Sequence, residues 1–266
     1  VVGSKKTKKT SMASRKKKIT DEEFYQTFPS SNPNHHGSRF DLQKLKIDYK
    51  FKNENQKKLI NLITENKITI ASGPAGTGKT YLACAQALKL LKNDQRFKKI
   101  ILVKSVTVLE GEEVGFLKGD LKEKMYPFTI SFLDNFHKLI GEGLTQLMLD
   151  QGYIEVLPLA YIRGRSIDNS IIIVDEAQNI TQKNMRSTMT RIGTDTKMII
   201  TGDTKQIDIK NSKMSALELV VDLFKNKEDI GTISFSVSDI VRDPIVKIIE
   251  ETFDDWESKN PKSSKD

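Results

Sequence analysis

Gly73-Pro74-Ala75-Gly76-Thr77-Gly78-Lys79-Thr80 lies between an apolar run, Ile68 to Ser72, and a helix-favouring stretch that starts at Lys79. The eight residues fit G-x-x-x-x-G-K-[ST], and their place between strand and helix gives the pattern its meaning. Glycines let the loop curl until successive backbone N–H groups face one anion, and the helix start adds its positive dipole end. The spacing predicts Gly73, Pro74, Ala75, Gly76, Thr77 and Gly78 as the phosphate cradle, with Tyr81 at its exit. It sets Lys79 against the β- and γ-phosphates and the Thr80 hydroxyl on Mg²⁺.

Around this loop, strand and helix patterns alternate from residue 54 onward, which predicts an α/β fold with a mostly parallel sheet flanked by helices. Expected strands are Ile68 to Ser72, Lys99 to Val103, Ile154 to Leu157, Ile171 to Asp175, Lys197 to Thr201 and Thr232 to Val237. Several are nearly continuous in Ile and Val, as strands buried on both faces require. Expected helices are Thr80 to Lys92, about Leu121 to Ile140, Gln182 to Ile192, Met214 to Lys225, and Pro244 to Trp256. No internal repeat is visible.

A phosphate loop binds without necessarily hydrolysing, so a second element is needed. Ser170-Ile171-Ile172-Ile173-Val174-Asp175-Glu176-Ala177-Gln178 reads as a buried strand with an acidic end. Asp175 there can hold the Mg²⁺ water shell, and Glu176 can orient or deprotonate an attacking water. Met198 to Thr201 is another apolar strand, followed by Gly202, Asp203 and Gln206. Parallel strands bring their C-terminal ends to one edge, where Gln206 and Asp203 would meet the γ-phosphate or its water. An ordinary acidic turn after a core strand is the bland alternative for each segment taken alone.

The charge pattern narrows the partners. The 266 residues carry a formal net charge of +8, but residues 1 to 18 hold eight Lys/Arg and no acid, leaving 35 basic against 35 acidic residues elsewhere. The high pI therefore belongs to the tail and does not mark the body as a polyanion binder. Residues 1–40 read as a disordered basic arm, residues 41–258 as one ATPase domain, and residues 259–266 as a disordered tail. The arm suits salt-sensitive phosphate contact or a solvated leader equally. His35 and His36 in it have no Cys or acid nearby to complete a metal shell. One cysteine, Cys84, no run of about 18 apolar residues and no signal-peptide pattern make the expectation cytoplasmic.

The loop with Tyr81-Leu82-Ala83, Gly111-Glu112 with Gly115 to Leu121, and Tyr161-Ile162-Arg163-Gly164-Arg165 form part of an ordered set. The Asp175 to Asn179 stretch, Thr190 to Gly193, and Thr201-Gly202-Asp203 with Gln206 complete it. Over residues 50 to 255 the chain resembles the PhoH-like family. That resemblance implies a single RecA-like, P-loop ATPase domain related to superfamily 1 helicases, in a family associated by name with phosphate starvation. It implies that Gln56 reads the adenine edge of ATP, as an amide that donates to N7 and accepts from the exocyclic amine can. Two departures stand out. Lys104-Ser105 replaces the family's Arg-Pro, and Asp243 replaces a histidine in Val241-Arg242-Asp243-Pro244, where it could pair with Arg242.

Loose phosphoryl-transfer transition states call for an arginine beyond the loop lysine. Arg242 is the first candidate and Arg191, expected on the helix after the acidic strand, the second; a surface salt bridge is the competing role for both. Lys104, Arg163 and Arg165 are the nucleic-acid candidates, the Arg-Gly-Arg turn suiting either phosphate tracking or a lid over the nucleotide. One loop and one core imply that a partner copy supplies the site's second wall, hence a ring, expected to be a hexamer. The functional expectation is an ATP hydrolase coupled to single-stranded RNA or DNA, helicase-like. The alternative is an ATP-switched assembly or binding protein that unwinds nothing. A small-molecule phosphotransferase ranks third, because no acceptor pocket is apparent.

Overall fold

In the computed structural model, the described residues are 40–104, 121–162, 164, 166–208 and 215–260, without the side chains of 121–129 and 131. Phe40 to Asn53 runs largely extended over the body, burying Leu45 and Ile47. The elements then follow as α1 (Glu54–Glu65), β1 (Ile68–Ser72), α2 (Lys79–Asn93), β2 (Lys99–Lys104), α3 (Leu121–Ile140) and α4 (Glu142–Asp150). They continue with β3 (Ile154–Pro158), α5 (Leu159–Ile162), β4 (Ser170–Asp175), α6 (Gln182–Met189), β5 (Lys197–Gly202), α7 (Leu217–Leu223), β6 (Ile230–Ser234) and α8 (Pro244–Lys259).

The six strands form one parallel sheet in the order β3-β2-β4-β5-β1-β6. Parallel pairing needs crossovers, and the helices they carry cover both faces. One apolar layer joins α1, α2, α3 and α4 to Ile100, Leu102, Ile171 and Ile199 on one face. The other sets Ile70, Ile101, Ile172 and Ile200 against α6 and α7. This alternation along the same strands explains their unbroken Ile/Val character: each residue is buried, whichever way it points. The result is the expected RecA-like arrangement, with β1 and β4 separated by β5 and their C-terminal ends on a common edge.

The expected strands fall within a residue or two of the observed ones, except the last, which lies at Ile230–Ser234 rather than Thr232 to Val237. Beyond Ser234, Ser236 opens a capping box with Asp239 and turns the chain into a short 3-10 turn, so pairing ends there. Helix α6 stops at Met189, three residues earlier than expected, and α7 covers only Leu217–Leu223. Helices α1, α4 and α5 were not among the expected set. Arg163, Arg165, His35, His36, Ser105 and the Gly111 to Asp120 part of the motif set lie outside the described residues.

Candidate nucleotide site

The loop after β1 is pinned by its neighbours. Gly73 N donates to Gly202 O at 3.2 Å, Val241 N donates to Gly76 O at 3.0 Å, and the Thr77 hydroxyl donates to Pro74 O at 3.0 Å. Gly76 has φ +86°, and a β-carbon there would come within 3.0 Å of Arg242 Cδ and 3.1 Å of its Cγ. Absence of a side chain at 76 therefore lets Arg242 lie across the loop as well as permitting the turn. Asp243 does not take Arg242 as a partner: its carboxylate caps α8, accepting from Ile245 N at 3.0 Å. Among the described residues no carboxylate forms an ion pair with Arg242.

Lys79 is 7% exposed and its ammonium donates to Gly73 O at 2.6 Å, Pro74 O at 2.8 Å and Thr77 Oγ1 at 3.3 Å. Burial lowers its pKa from the usual lysine value; Asp203, Asp175 and Glu176 oppose that shift, and Arg242 adds to it. The three carboxylates share one cavity wall with this buried ammonium, which sets the loop lysine and the acidic strand end in a single electrostatic cluster. Thr80 Oγ1 donates to Asp175 Oδ1 at 3.0 Å, and Thr201 Oγ1 donates to the same oxygen at 2.6 Å. Both hydroxyls converge on Oδ1, leaving Oδ2 of this buried carboxylate without a protein donor among the described residues. Hydroxyl and carboxylate oxygens are the hard donors that Mg²⁺ prefers, and it commonly takes only one or two from protein. The residues present therefore fit the metal. No group of three or more His, Cys, Asp or Glu among the described residues is placed to hold a metal ion.

Glu176 adopts a left-handed backbone, φ 53° and ψ 41°, uncommon for a residue with a β-carbon. Its Oε2 accepts from Gln178 Nε2 at 2.8 Å, while Gln178 Oε1 accepts from Asp203 N at 3.0 Å. Gln178, 1% exposed, thereby joins the acidic turn after β4 to the loop after β5. A β-carbon on Gly202 would stand 2.6 Å from Gln178 Oε1 and 3.0 Å from Ala177 N, so that bridge requires glycine there. Asn179 and Asp208 fasten the same two loops a second time, through Asn179 Nδ2 to Asp208 Oδ2 at 2.9 Å and Asp208 N to Asn179 Oδ1 at 2.8 Å.

A cavity of about 1150 Å³ opens over this cluster, with Gly76, Lys79, Thr80, Asp175, Glu176, Asp203, Gln206 and Arg242 in its wall. Tyr49, Lys52, Gln56 and Tyr81 line its further part. Gln56 lies in the first turn of α1 and is 3% exposed. Its Oε1 accepts from Lys52 N at 2.8 Å and its Nε2 donates to Thr77 O at 2.9 Å. The amide is therefore a strut under the phosphate loop, with one acceptor and one donor position left over.

Two expected site residues are placed differently from the rest. Arg191 lies past the end of α6, where its Nε donates to Ser187 O at 3.0 Å and its backbone O accepts from Ile167 N at 2.9 Å. Ile167 precedes the start of β4, so Arg191 sits at the sheet edge opposite the phosphate loop. Lys104 ends β2 directly beside Asp175 in the strand register, on the site's edge but outside the cavity wall.

Sequence reasoning passed over Thr201 and the bridging role of Gln178, although both stood in quoted segments. It also passed over Asp239, a 7% exposed carboxylate that accepts from Asn55 Nδ2 at 3.0 and 2.9 Å and from Ser236 N at 2.9 Å. With Asn53 Nδ2 donating to Asp239 O at 3.2 Å, this network holds the turn before Arg242 against α1. The S-x-x-D spacing at Ser236 was its legible signal.

A PhoH-like protein profile matches residues 48–254. A PhoH-like protein of Bacillus subtilis is 42% identical over 203 residues, covering 76% of this chain and 63% of that protein. One from Synechocystis is 37% identical over 210 residues, covering 79% and 63%, and the Protein PhoH of Escherichia coli is 33% identical over 193, covering 72% and 54%. The chain thus spans less than two thirds of the length of these relatives. Among solved structures, a large terminase from a thermophilic bacteriophage aligns at TM-score 0.47 and 9% identity, covering 76% of this chain and 50% of that one. The UvsW helicase of bacteriophage T4 aligns at 0.44 and 14%, covering 83% and 68%. Two thirds or more of the chain follows each of these curated relatives, and the profile spans the whole phosphate-loop domain: the protein belongs to the PhoH-like family.

Proposed function

We propose that this chain binds ATP with Mg²⁺ and hydrolyses it, and that it works as an ATP-driven, helicase-like motor on single-stranded RNA or DNA. The observation that carries the reading is the meeting of Lys79, Asp175 and Glu176 in one cavity wall. The curled amides from Gly73 to Gly78 cradle the phosphates, and the Lys79 ammonium turns from its own loop carbonyls to the β- and γ-oxygens. Magnesium, when bound, neutralises charge on those oxygens and fixes their geometry. Thr80 and the free Oδ2 of Asp175 hold that position, with Thr201 keeping the carboxylate turned toward it.

Glu176 accepts a proton from the attacking water through Oε1, because Oε2 is held by Gln178. Gln206 orients that water from the loop after β5, and the guanidinium of Arg242 meets charge developing on the γ-phosphoryl group. Gln56 reads adenine with its spare amide valences while supporting Thr77. Lys104, Arg163 and Arg165 contact the nucleic-acid backbone. A ring of copies, a hexamer, encloses each nucleotide between neighbours, and Arg191, remote from its own chain's cavity, is available to act only in trans. The protein works in the cytoplasm; no helix among the described residues is long and apolar enough to cross a membrane.

A second reading, an ATP-switched assembly protein without unwinding activity, draws on the balanced charge outside residues 1–18, 35 against 35. ATP turnover measured with and without single-stranded RNA and DNA oligomers separates the two. Stimulation is expected for the motor, and a rate indifferent to both oligomers sinks it. Sedimentation in Mg²⁺ and ATP tests the ring: monomer alone, with turnover independent of protein concentration, removes the shared site.

A further inference from the structure

Helix α8 is amphipathic but faces the wrong way. Val246, Glu250 and Asp254, one helical row, are its half-buried residues, and Asp254 pairs with Lys205 of the loop after β5. On the side turned away lie Ile245, Ile248, Ile249, Phe253 and Trp256, exposed by 53, 56, 48, 62 and 51%. No residue of the sixteen is buried. A contiguous apolar stripe of this size left in water marks an interaction surface.

The charges beside the stripe select its occupant. At about 100° per residue, Glu251 and Asp255 border the stripe on one flank and Glu257 on the other. The helix as a whole holds five acids (Glu250, Glu251, Asp254, Asp255, Glu257) against two lysines, Lys247 and Lys259, a net −3. Two such helices face to face would set like charges together, and a nucleic acid or an anionic membrane would meet the same repulsion. A cationic segment with apolar side chains is what fits.

Such a segment exists in this chain. Residues 1–28 carry eight Lys/Arg and three acids (Asp21, Glu22, Glu23), a net +5, together with Ile19, Phe24, Tyr25 and Phe28. The reach is sufficient. Phe40 is tied beside β3, its N–H donating to Gln151 Oε1 at 2.8 Å and its O accepting from Tyr153 OH at 3.3 Å. Helix α8 follows β6 at the other edge of the sheet and begins at the opposite end of the strands, about 30 Å away when five strand spacings are combined with one strand length. Extended, residues 29–39 span about 35 Å.

We propose that the basic amino-terminal segment of this chain docks on the outer stripe of α8, its lysines against Glu251, Asp255 and Glu257 and its aromatic residues over Ile249, Phe253 and Trp256. The surface is distinct from the nucleotide site and does not depend on hydrolysis.

Trp256 is the chain's one tryptophan and sits in the stripe, so its fluorescence reports the contact directly. Acrylamide quenching of the 266-residue chain is compared with that of a K5E/K6E/K8E/K9E variant and of a F24S/F28S variant. All these changes lie outside the described domain. Quenching about threefold steeper in both variants, with a red-shifted emission, is the expected result. Equal quenching in all three proteins overturns the proposal. So does protection that survives in the variants but vanishes on dilution, because the cover would then be a second copy's body and not the arm.

Discussion

Helices α2 and α8 are nearly the same length, fifteen and sixteen residues, and both carry apolar side chains at helical spacing, yet one is core and the other skin. Helix α2 buries nine of its residues, including Leu82, Leu88 and Leu91, between α1, α3 and the sheet. Helix α8 buries none and turns its charged row inward. Amphipathic spacing says that a helix has an apolar face; only tertiary context says what that face meets. The two helices also begin at the same place, because Lys79 opens α2 and Arg242 stands just before α8, both at the phosphate loop. One is anchored to the fold by burial, the other by the Asp243 cap, the bond from Val241 N to Gly76 O and the Lys205 to Asp254 ion pair.

The contrast can be broken from either side. Lys79→Ala is expected to abolish nucleotide binding, read by titration with a fluorescent ATP analogue, because the cradle loses its buried cation; measurable tight binding would mean the amides suffice alone. Leu88→Ala should lower unfolding stability by about 2–5 kcal/mol in urea titration, since a fully buried side chain leaves a cavity between α2 and its neighbours. Glu176→Gln should keep nucleotide affinity and slow turnover by at least ~10², as expected when a general base is replaced by an amide. Near-normal turnover would move that role to another residue. Thr201→Val removes the 2.6 Å bond to Asp175 and should raise the Mg²⁺ concentration needed for half-maximal turnover about tenfold, the usual size of an outer-shell effect. In the F24S/F28S background, where the arm no longer covers the stripe, Ile249→Ala, the counterpart of Leu88→Ala on the outer helix, should shift stability by no more than about 0.5 kcal/mol. A loss there as large as that at Leu88 would show that α8 is covered by something other than the arm.

The phosphate loop, its strand and helix, and the acidic end of β4 were legible because each rests on local chemistry: glycine-permitted turns, continuous Ile/Val runs and polar residues at strand ends. The spatial meeting of Thr80 with Asp175 followed from parallel strands sharing one edge. What escaped is the set of bonds between loops distant in sequence. Gln178 to Asp203 N, Asn179 to Asp208 and Asn55 to Asp239 leave no periodic trace, because a lone amide in a loop has the same one-letter pattern whether it bridges two turns or faces water. Gln56 shows the same limit from the other side. The family resemblance pointed to this residue, whereas its seat under Thr77 depends on how α1 packs against the loop. Arg191 lies just past α6 and not on it, because that helix ends at Met189 and the chain has already turned toward the base of the sheet.

Lys205 sits between Asp203 and Gln206 just after β5, and its ammonium pairs with Asp254 of the outer helix. Because that lysine is long and half-exposed, the pair couples the loop to α8 as a slack tether and not as a rigid strut.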